Sequence, residues 1–391
     1  MIKRLAIFVT HPIQYYAPMW RRLAMTPGLE PVLHFFSDHS ARGGLDSGFG
    51  VNVAWDIPLI DGYEHRFLER TADLSRPRTV ALPQARQLLA DGKFDAVMIH
   101  GYTHAFERDV VRAARALRLP VLMRGEFTDV TPDTGRTRIK SLVRDFYLKW
   151  FYRHVDVFCY IGEEARLHLQ RRGIDKDRMF FSPYSVDTAL FENQRAQFDR
   201  RRAREELGID DGQTAVLFSG KLIPRKEPLL LVNALALLPD RQRVSLIVVG
   251  EGELRQQVES EARALLGTRL TMAGFVNQSR IGKYFMAADV FVLPSKFETW
   301  GLVVNEAMQF GLPVIASSMV GCHKDLIVSG KTGFTFPMGD SEALSARIGQ
   351  LADDRDLSRR MGRDARSHVA RYSDEASAAG IVAALRCSRS Q

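Results

Sequence analysis

Residues 288–314 read ADVFVLPSKFETWGLVVNEAMQFGLPV, and the order of elements in this stretch indicates the fold class. Val290–Leu293 is a short, continuous apolar run, which is typical of a strand buried on both faces of a parallel sheet. Pro294 follows at once and cannot donate to a sheet ladder, so the strand should end there.

Leu302–Phe310 then predicts a helix, which Gly311 and Pro313 close. Thr299 is the expected N-cap, and Gly301 would let the backbone approach a ligand closely. This helix would open directly above a strand end, where open α/β sheets bind their ligands. The sequence therefore predicts an anion site at the helix start, with backbone N–H donors from Trp300, Gly301 and Leu302.

Glu298 on the turn and Glu306 on the helix flank those donors. Carboxylates repel phosphate but accept hydroxyl protons well, so the arrangement suggests a diphosphate with a polyol at each end. The alternative is that both are ordinary solvated acids. Apolar neighbours of Glu306, Val303 and Ala307 among them, argue against a solvated face.

A second anion contact is predicted in the run SGKLIPRK, residues 219–226, which stands between a strand and a helix. Gly220 permits close backbone approach, and Lys221 and Lys226 could both reach one diphosphate. Gly250 belongs to another glycine turn at a strand end, and backbone groups of Phe275 and Val276 after the next strand could read a base edge.

Length and composition place the chain among folded, two-domain proteins, since 391 residues exceed one ordinary core and 46% are hydrophobic. The formal charge of +8 favours acidic partners. Nucleic acid is not expected, because no recognised nucleic-acid module is present. Three widely spaced cysteines suggest neither a disulfide framework nor a metal site, and a reducing cytosol fits them. No apolar run is long enough for a membrane span, and the amino end is interpreted as a first strand rather than a signal.

Short apolar strands alternate with helices in both halves, which predicts two doubly wound α/β domains. In the first half we expect strands at Leu5–Val9, Pro31–Ser37, Trp55–Leu59, Ala96–His100, Val121–Met123, Val155–Ile161 and Met179–Ser182. The expected division is a first domain over 1–190, a linker over 191–209, a second domain over 210–372, and a final helix over 373–391 that packs back toward the first domain. The glycine-rich stretch Asp38–Asn52 is expected to be a long irregular loop.

Arg136–Arg153 predicts a basic, aromatic amphipathic helix. Such a helix can lie on an anionic membrane surface, and it can equally face the core with a solvated basic back. The second reading is the commoner one.

The ensemble resembles the retaining GT-B glycosyltransferases of family 4. The motifs that carry the resemblance are the Gly220-Lys221 to Lys226 turn, Gly250-Glu-Gly-Glu253, Gly274-Phe275, Glu298 to Glu306 with seven residues between, and Gly330-Lys-Thr-Gly333. They cover nearly all of residues 210–350. Pro183-Tyr-Ser-Val-Asp187 also looks like the family's domain-joining motif.

The resemblance implies a GT-B fold, with two Rossmann-like α/β/α domains facing each other across a cleft. By the same resemblance, Lys221 and Lys226 hold the diphosphate of a nucleotide sugar, Glu306 the ribose hydroxyls, and Glu298 the donor sugar. Gly220, Gly250, Phe275, Val276 and Thr299–Leu302 complete the donor side. The family usually has arginine where Lys221 stands.

On the acceptor side the family often has a histidine where this chain has Arg124. Arg124 could stabilise charge on the leaving diphosphate, and Glu126 could contact the acceptor. His100 and His11 are further candidates for the role of the family's histidine, though a histidine at a strand end is as often a packed residue. Gln14 and Tyr15, in the loop with His11, are also expected on the acceptor side.

The predicted function is a retaining, metal-independent transfer of a sugar from a UDP- or GDP-type donor to a hydroxyl acceptor, in polysaccharide or glycolipid assembly. Two alternatives stay open: a nucleotide-sugar 2-epimerase on the same fold, and a nucleotide-sugar binding protein without turnover. The expected location is the cytoplasm, with a peripheral contact to anionic membrane through Arg136–Arg153 as an option.

Overall fold

The computed structural model describes residues 3–46, 48–69, 80–129 and 138–388, apart from the side chains of residues 45 and 138–141. The strands are β1 Lys3–Val9, β2 Leu29–Phe35, β3 Gly44–Asp46, β4 Val51–Val53, β5 Glu64–Phe67, β6 Ala96–His100, β7 Val121–Gly125, β8 Val157–Tyr160, β9 Met179–Phe181, β10 Thr214–Ser219, β11 Val244–Val249, β12 Leu270–Gly274, β13 Val290–Leu293, β14 Val314–Ser317 and β15 Gly333–Phe336. The helices are α1 Ala17–Ala24, α2 His39–Arg42, α3 Ala85–Asp91, α4 Ala105–Ala116, α5 Arg138–Tyr152, α6 Glu163–Arg171, α7 Thr188–Gln197, α8 Arg200–Glu206, α9 Pro228–Ala236, α10 Arg255–Leu266, α11 Gly282–Ala287, α12 Leu302–Gln309, α13 His323–Leu326, α14 Ser341–Asp353, α15 Arg355–Val369 and α16 Asp374–Cys387.

The chain forms two compact units. Unit 1 comprises the described residues of Met1–Gly44, Pro58–Ser185 and Tyr372–Gln391, and unit 2 those of Leu45–Ile57 and Val186–Arg371. Residues 45–57 thus come from the first half of the sequence but belong to unit 2. Residues 191–209 lie within unit 2, where they contribute most of α7 and all of α8.

Unit 1 is built on a seven-stranded sheet in the order β5-β2-β1-β6-β7-β8-β9, and every pairing is parallel. The inner strands are apolar runs, such as Leu5–Val9 of β1, because helices cover both faces of a parallel sheet. Helix α16 returns to this unit and packs on α1, where Arg22 Nε donates to Asp374 Oδ2 at 2.9 Å.

Unit 2 contains a six-stranded parallel sheet in the order β12-β11-β10-β13-β14-β15. All six residues of β10 and of β11 are buried. The strand order reverses between β10 and β13, so the loops that leave these two strands diverge and open a crevice between them. That crevice lies where the sequence places its anion site.

The structure corrects part of the predicted fold. Trp55–Leu59 is not a strand, and it contains Pro58, which has no N–H for a ladder. The stretch Asp38–Asn52 is not wholly irregular, because it contains α2 and the paired strands β3 and β4. The edge strand β5 has the sequence EHRF, whose polar alternation gives no buried-strand signal.

Candidate functional site

The turn between β13 and α12 in unit 2 has the position expected from the sequence but not the expected cap. Thr299 is not the N-cap of α12; Gly301 is, in a left-handed conformation with φ 97° and without a side-chain cap. A Cβ on Gly301 would lie 2.9 Å from Val320 Cγ1, so the turn is close-packed as well. Trp300 is buried and its Nε1 donates to Asn305 Oδ1 at 2.9 Å, which anchors the turn to the helix it precedes.

Glu298 is fixed by its backbone on the same turn. Its N–H donates to Met319 O at 3.1 Å, and Gly321 N–H donates to Glu298 O at 3.0 Å. A Cβ at Gly321 would lie 2.1 Å from Thr299 O, so the two chain segments touch backbone to backbone. The side chain of Glu298 is therefore held in place, with the residue only 8% exposed.

Glu298 meets a cation from the β10–α9 turn across the crevice. Lys226 Nζ lies 2.5 Å from Glu298 Oε1, and Arg225 Nη1 lies 3.4 Å from Oε2. Burial lowers the pKa of the Lys226 ammonium below its ordinary value, although the charge and hydrogen bond of Glu298 act in the opposite direction. An ammonium has three donors, so Lys226 can hold Glu298 and still donate to a phosphate oxygen.

Glu306 on α12 is held by a relay of amides. Its Oε1 accepts from Gln278 Nε2 at 2.9 Å, and Gln194 Nε2 donates to the backbone oxygen of Gln278 at 2.7 Å. Gln194 Oε1 accepts in turn from Gly282 N–H at 2.7 Å. Glu306 is 2% exposed, so it is not the solvated helix acid of the alternative reading. A buried carboxylate positioned by amide donors is suited to accept hydroxyl hydrogens.

The glycine turns that leave β10 and β11 lie against each other. Gly220 N–H donates to Val249 O at 2.9 Å, and a Cβ at Gly250 would lie 1.9 Å from Gly220 O. Gly250 has φ 138°, a conformation that side chains rarely adopt. The close contact makes glycine necessary at 250 and fixes the backbone from which Lys221 and Lys226 project.

Lys221 has a different carboxylate partner from Lys226. Its Nζ lies 2.6 Å from Asp46 Oδ1 and 4.8 Å from the centroid of the Phe49 ring. Burial raises the pKa of the Asp46 carboxyl, but the hydrogen bond from Lys221 and the N–H of Phe49 outweigh it and hold the pKa below its ordinary value. Asp46 was not among the residues predicted from the sequence.

Phe275 and Val276, which were predicted to read a base edge, line a cavity of about 960 Å³ in unit 2. Asn277 and Ser279 line it as well, and Asp56 joins them from the other half of the sequence. This volume lies in the range of small-molecule sites. A concave surface is therefore present where Phe275 and Val276 were predicted to read a base edge.

In unit 1, a cavity of about 330 Å³ opens at the carboxyl ends of β1, β6 and β7. His100 and Glu126 line it, with Tyr16 and Tyr184. Tyr184 Oη donates to Glu126 Oε1 at 3.0 Å, and it lies 2.7 Å from Tyr16 Oη. The predicted acceptor-side residues His100 and Glu126 therefore share one cavity, with two tyrosine hydroxyls that were not predicted from the sequence.

Arg124 lies under this cavity rather than in its lining. The residue is 1% exposed, and its guanidinium donates to Ser182 Oγ at 3.0 Å and to the backbone oxygens of Ser182 and Pro183 at 3.2 Å. Nη2, which makes the two backbone contacts, also donates to Ser377 Oγ at 3.2 Å. The expectation that Arg124 stabilises a leaving group does not fit this position, because protein acceptors occupy its donors.

Arg124 also contacts His100. Its Nη1 lies 3.0 Å from His100 Nε2, and since a guanidinium only donates, that ring nitrogen must accept. Burial and the charge of Arg124 lower the pKa of His100 to about 3. His100 is therefore a neutral ring with its Nε2 lone pair occupied, which is unsuited to a general base.

The remaining acceptor-side predictions lie in the loop after β1. His11 Nδ1 lies 3.0 Å from Thr10 Oγ1, and burial, His39 and His104 lower the pKa of His11 to about 4. Gln14 and Tyr15 are half-buried in the turn before α1. The cavity in unit 1 is lined from this loop by Thr10, Ile13 and Tyr16 instead.

Two signals in the sequence could have found residues that were missed. Tyr16 follows the selected Tyr15, and Tyr184 belongs to the quoted motif Pro183-Tyr-Ser-Val-Asp187. Nothing in the sequence points to Asp46 or Gln278, whose roles depend on contacts across 175 and 28 residues of chain.

Comparison with known families covers most of the chain in two parts. Residues 199–368 match the family described as glycosyl transferases group 1, and residues 28–185 match the glycosyl transferase 4-like domain. The boundary between the matches lies near the start of α8.

A curated relative is the D-inositol 3-phosphate glycosyltransferase of Nocardia farcinica. It is 34% identical over 230 residues, which are 56% of this chain and 50% of that protein. The chain spans about half the length of the curated relatives it matches.

Solved structures share the fold over the whole chain. A glycosyltransferase from Rickettsia africae superposes with a TM-score of 0.75 at 17% identity and full coverage of both chains. Anabaena HepE, in complex with UDP and glucose, gives 0.70 at 17% identity over 98% of this chain and 99% of its own. With these neighbours, the two parallel α/β units constitute the GT-B fold.

Proposed function

Because residues 28–185 and 199–368 match two glycosyltransferase families, we propose that this chain transfers a sugar from a nucleotide-diphosphate sugar to a hydroxyl acceptor. The observation that carries the proposal is the crevice of unit 2, where the Lys226–Glu298 pair joins the loops at the switch point. Nucleotide-binding α/β sheets use this crevice for their ligands.

The donor-side roles follow from the charges and hydrogen bonds of unit 2. Lys221 and Lys226 bind the diphosphate, together with backbone N–H groups of Trp300, Gly301 and Leu302 at the start of α12. Glu306, positioned by Gln278, accepts from the ribose hydroxyls. Phe275 and Val276 read the base edge beside their cavity.

Glu298 accepts hydroxyls of the donor sugar. Lys226 and Arg225 pair with this carboxylate, and an ionised carboxylate is a strong acceptor. The reaction we propose retains the anomeric configuration, with the acceptor hydroxyl attacking from the face that the diphosphate leaves and passing its proton to a leaving phosphate oxygen. The two lysines supply the positive charge at the diphosphate, so no metal ion is included.

On the acceptor side, Glu126 is the residue that contacts the hydroxyl substrate. It is exposed at the cavity in unit 1, and Tyr184 orients its carboxylate. Arg124 is a positioning residue, which donates to His100 Nε2 and ties β7 to the residues before α7. The acceptor belongs to polysaccharide or glycolipid assembly in this proposal.

An anionic membrane surface is the partner proposed for α5. The side chains of residues 136–141 of the predicted helix lie outside the described part of the chain, but residues from 142 onward expose an apolar face: Phe146 is 77% exposed and Leu142 68%. Val143 and Trp150 extend this face, and Lys149 and Arg153 are exposed beside it. Aromatic and aliphatic side chains flanked by cations are typical of helices that lie in the bilayer interface. None of the described helices is both long enough and apolar enough to traverse a bilayer.

The membrane contact is tested by co-sedimentation with vesicles. Phosphatidylcholine vesicles that contain phosphatidylglycerol should retain the wild-type protein and release it as salt rises, and Phe146→Ser with Leu142→Ser should abolish retention. Phe181→Ser, which changes another exposed aromatic residue outside α5, is the matched control. Equal retention of all variants would contradict the proposal.

The transferase proposal is tested by screening UDP- and GDP-sugars for thermal stabilisation and then analysing products with hydroxyl acceptors. Formation of a new glycoside with the donor's anomeric configuration is expected. Conversion of the donor to its C2 epimer would establish the epimerase alternative. Stabilisation without transfer to any acceptor in a broad panel would favour a binding protein.

A further inference from the structure

We propose that Asp46 competes with the donor diphosphate for Lys221, and so sets both the affinity of the donor site and its preference for phosphorylated ligands. The proposal rests on the proposed function, since it assumes that Lys221 binds the donor. It concerns residues 45–57, the part of unit 2 that comes from the first half of the sequence.

The position of Asp46 is the first support. Its Oδ1 lies 2.6 Å from Lys221 Nζ, so a carboxylate occupies the place that a phosphate oxygen would take on the same ammonium. Both side chains are about one-third exposed, at 33% for Asp46 and 31% for Lys221. A ligand from solution can therefore reach the pair, and solvent weakens it.

Asp46 can give up Lys221 without becoming unpaired. Its Oδ1 also accepts from the backbone N–H groups of Gly48 at 2.8 Å and Phe49 at 3.0 Å. These two bonds close the turn that holds the carboxylate, and they remain when the ammonium leaves. An incoming diphosphate would meet Asp46 as a like charge, so contact with Lys221 requires that the pair separate.

The rest of the segment stays anchored when the pair separates. Asn277 Nδ2 donates to Ala54 O at 2.6 Å, and Ser279 N–H donates to Asp56 Oδ1 at 3.1 Å. The Phe275 ring contacts Trp55 at 6.3 Å and Phe49 at 5.2 Å between centroids. These contacts keep residues 54–56 at the loop after β12, beside the predicted base-reading residues. Displacement therefore involves the turn at Asp46 rather than the whole segment.

The consequence is a binding penalty that falls only on phosphorylated ligands. A ligand whose phosphate reaches Lys221 must displace Asp46, and a nucleoside without phosphate need not. Removing the negative charge should therefore strengthen binding of a nucleoside diphosphate and leave a nucleoside unaffected.

The test is Asp46→Asn, which keeps an oxygen for the N–H groups of Gly48 and Phe49 but removes the charge. Isothermal titration calorimetry with UDP and GDP should show a Kd about threefold lower than in the wild type, the size expected for a partly exposed ion pair. Uridine and guanosine should bind both proteins equally, and the gain should shrink at high salt. Asp240→Asn is the matched control, because it removes one negative charge from a surface pair with Arg243 and should change nothing.

A double-mutant cycle assigns the effect to Lys221. In a Lys221→Met background, Asp46→Asn should bring no gain, and circular dichroism melts establish that each variant is folded. An unchanged or weaker affinity of Asp46→Asn for the diphosphates, or an equal gain in the Lys221→Met background, would overturn the proposal while leaving the transferase reading intact. Failure of both the wild type and Asp46→Asn to bind any nucleoside diphosphate or nucleotide sugar would overturn the proposed function as well.

Discussion

Lys226→Met separates the structural role of the Lys226–Glu298 pair from its binding role. The side chains of Lys226 and Glu298 are 12% and 10% exposed, and their charged atoms lie 2.5 Å apart. Removing one member of a buried pair typically costs about 3 to 5 kcal/mol, because the other charge is left uncompensated. Arg225 remains 3.4 Å from Glu298 and offsets part of this loss, so we expect about 3 kcal/mol. For a domain of this size, that corresponds to a fall in Tm of about 6 to 12 °C.

Differential scanning calorimetry of Lys226→Met and of the double variant Lys226→Met with Glu298→Gln measures the two roles. Removing both charges is often close to neutral, so the double variant should regain most of the lost Tm. Neither variant should bind UDP or GDP as tightly as the wild type, since the cation is absent from both. A single variant within about 1 kcal/mol of the wild type, or a double variant as unstable as the single one, would refute this description of the pair.

Two further predictions concern His100 and Gly250. His100 is neutral in the folded protein down to a pKa of about 3 but titrates near 6.5 when unfolded, so it lowers the free energy of unfolding as pH falls from about 6.5 toward 3. At pH 5 this loss amounts to about 2 kcal/mol. His100→Gln can still accept from Arg124 and should remove the loss. Urea titrations in which the free energy of unfolding falls equally between pH 7 and 5 in both proteins would contradict the prediction. Gly250→Ala forces a Cβ to within 1.9 Å of Gly220 O, so it should cost more than about 3 kcal/mol and weaken UDP or GDP binding. Gly267→Ala has φ 60° with nothing within 4 Å and should cost only about 1 to 2 kcal/mol, so equal urea midpoints for the two variants would refute the steric argument.

Much of the sheet could be predicted because parallel strands, buried on both faces, leave continuous apolar runs. Ala96–His100 and Val290–Leu293 have the expected bounds in the structure. The strand predicted at Trp55–Leu59 was wrong. The large apolar side chain of Trp55 contacts the Phe275 ring instead of packing in a sheet. Edge strand β5 could not be found from an apolar run, because its sequence EHRF alternates between exposed and half-buried residues.

The elements that carry the site followed from local signals. Glu298 and Glu306 could be placed on a turn and a helix because strand, turn and helix are consecutive in the sequence. The N-cap predicted at Thr299 was wrong, because the left-handed Gly301 caps the helix instead, at a position where a Cβ would collide with Val320.

The partners of the selected residues could not be predicted. Arg124 has the charge expected of a residue that stabilises a leaving group. Beneath the cavity, however, its guanidinium donates hydrogen bonds to Ser182, Pro183 and Ser377. Nothing local distinguishes an arginine that faces a ligand from one that satisfies backbone oxygens of its own fold. The same limit hides the pairing of Asp46 with Lys221.

Binding of a nucleoside diphosphate and of its sugar to Glu306→Gln and Glu298→Gln, measured by isothermal titration calorimetry, separates the two ends of the donor. Glu306→Gln should weaken both ligands about tenfold, since a charge-assisted bond to the ribose is lost in each case. Glu298→Gln should weaken only the nucleotide sugar, by a similar factor, and should not weaken the nucleoside diphosphate. Unchanged affinities in both variants, or equal losses for both ligands in Glu298→Gln, would contradict the placement of one nucleotide sugar between these carboxylates.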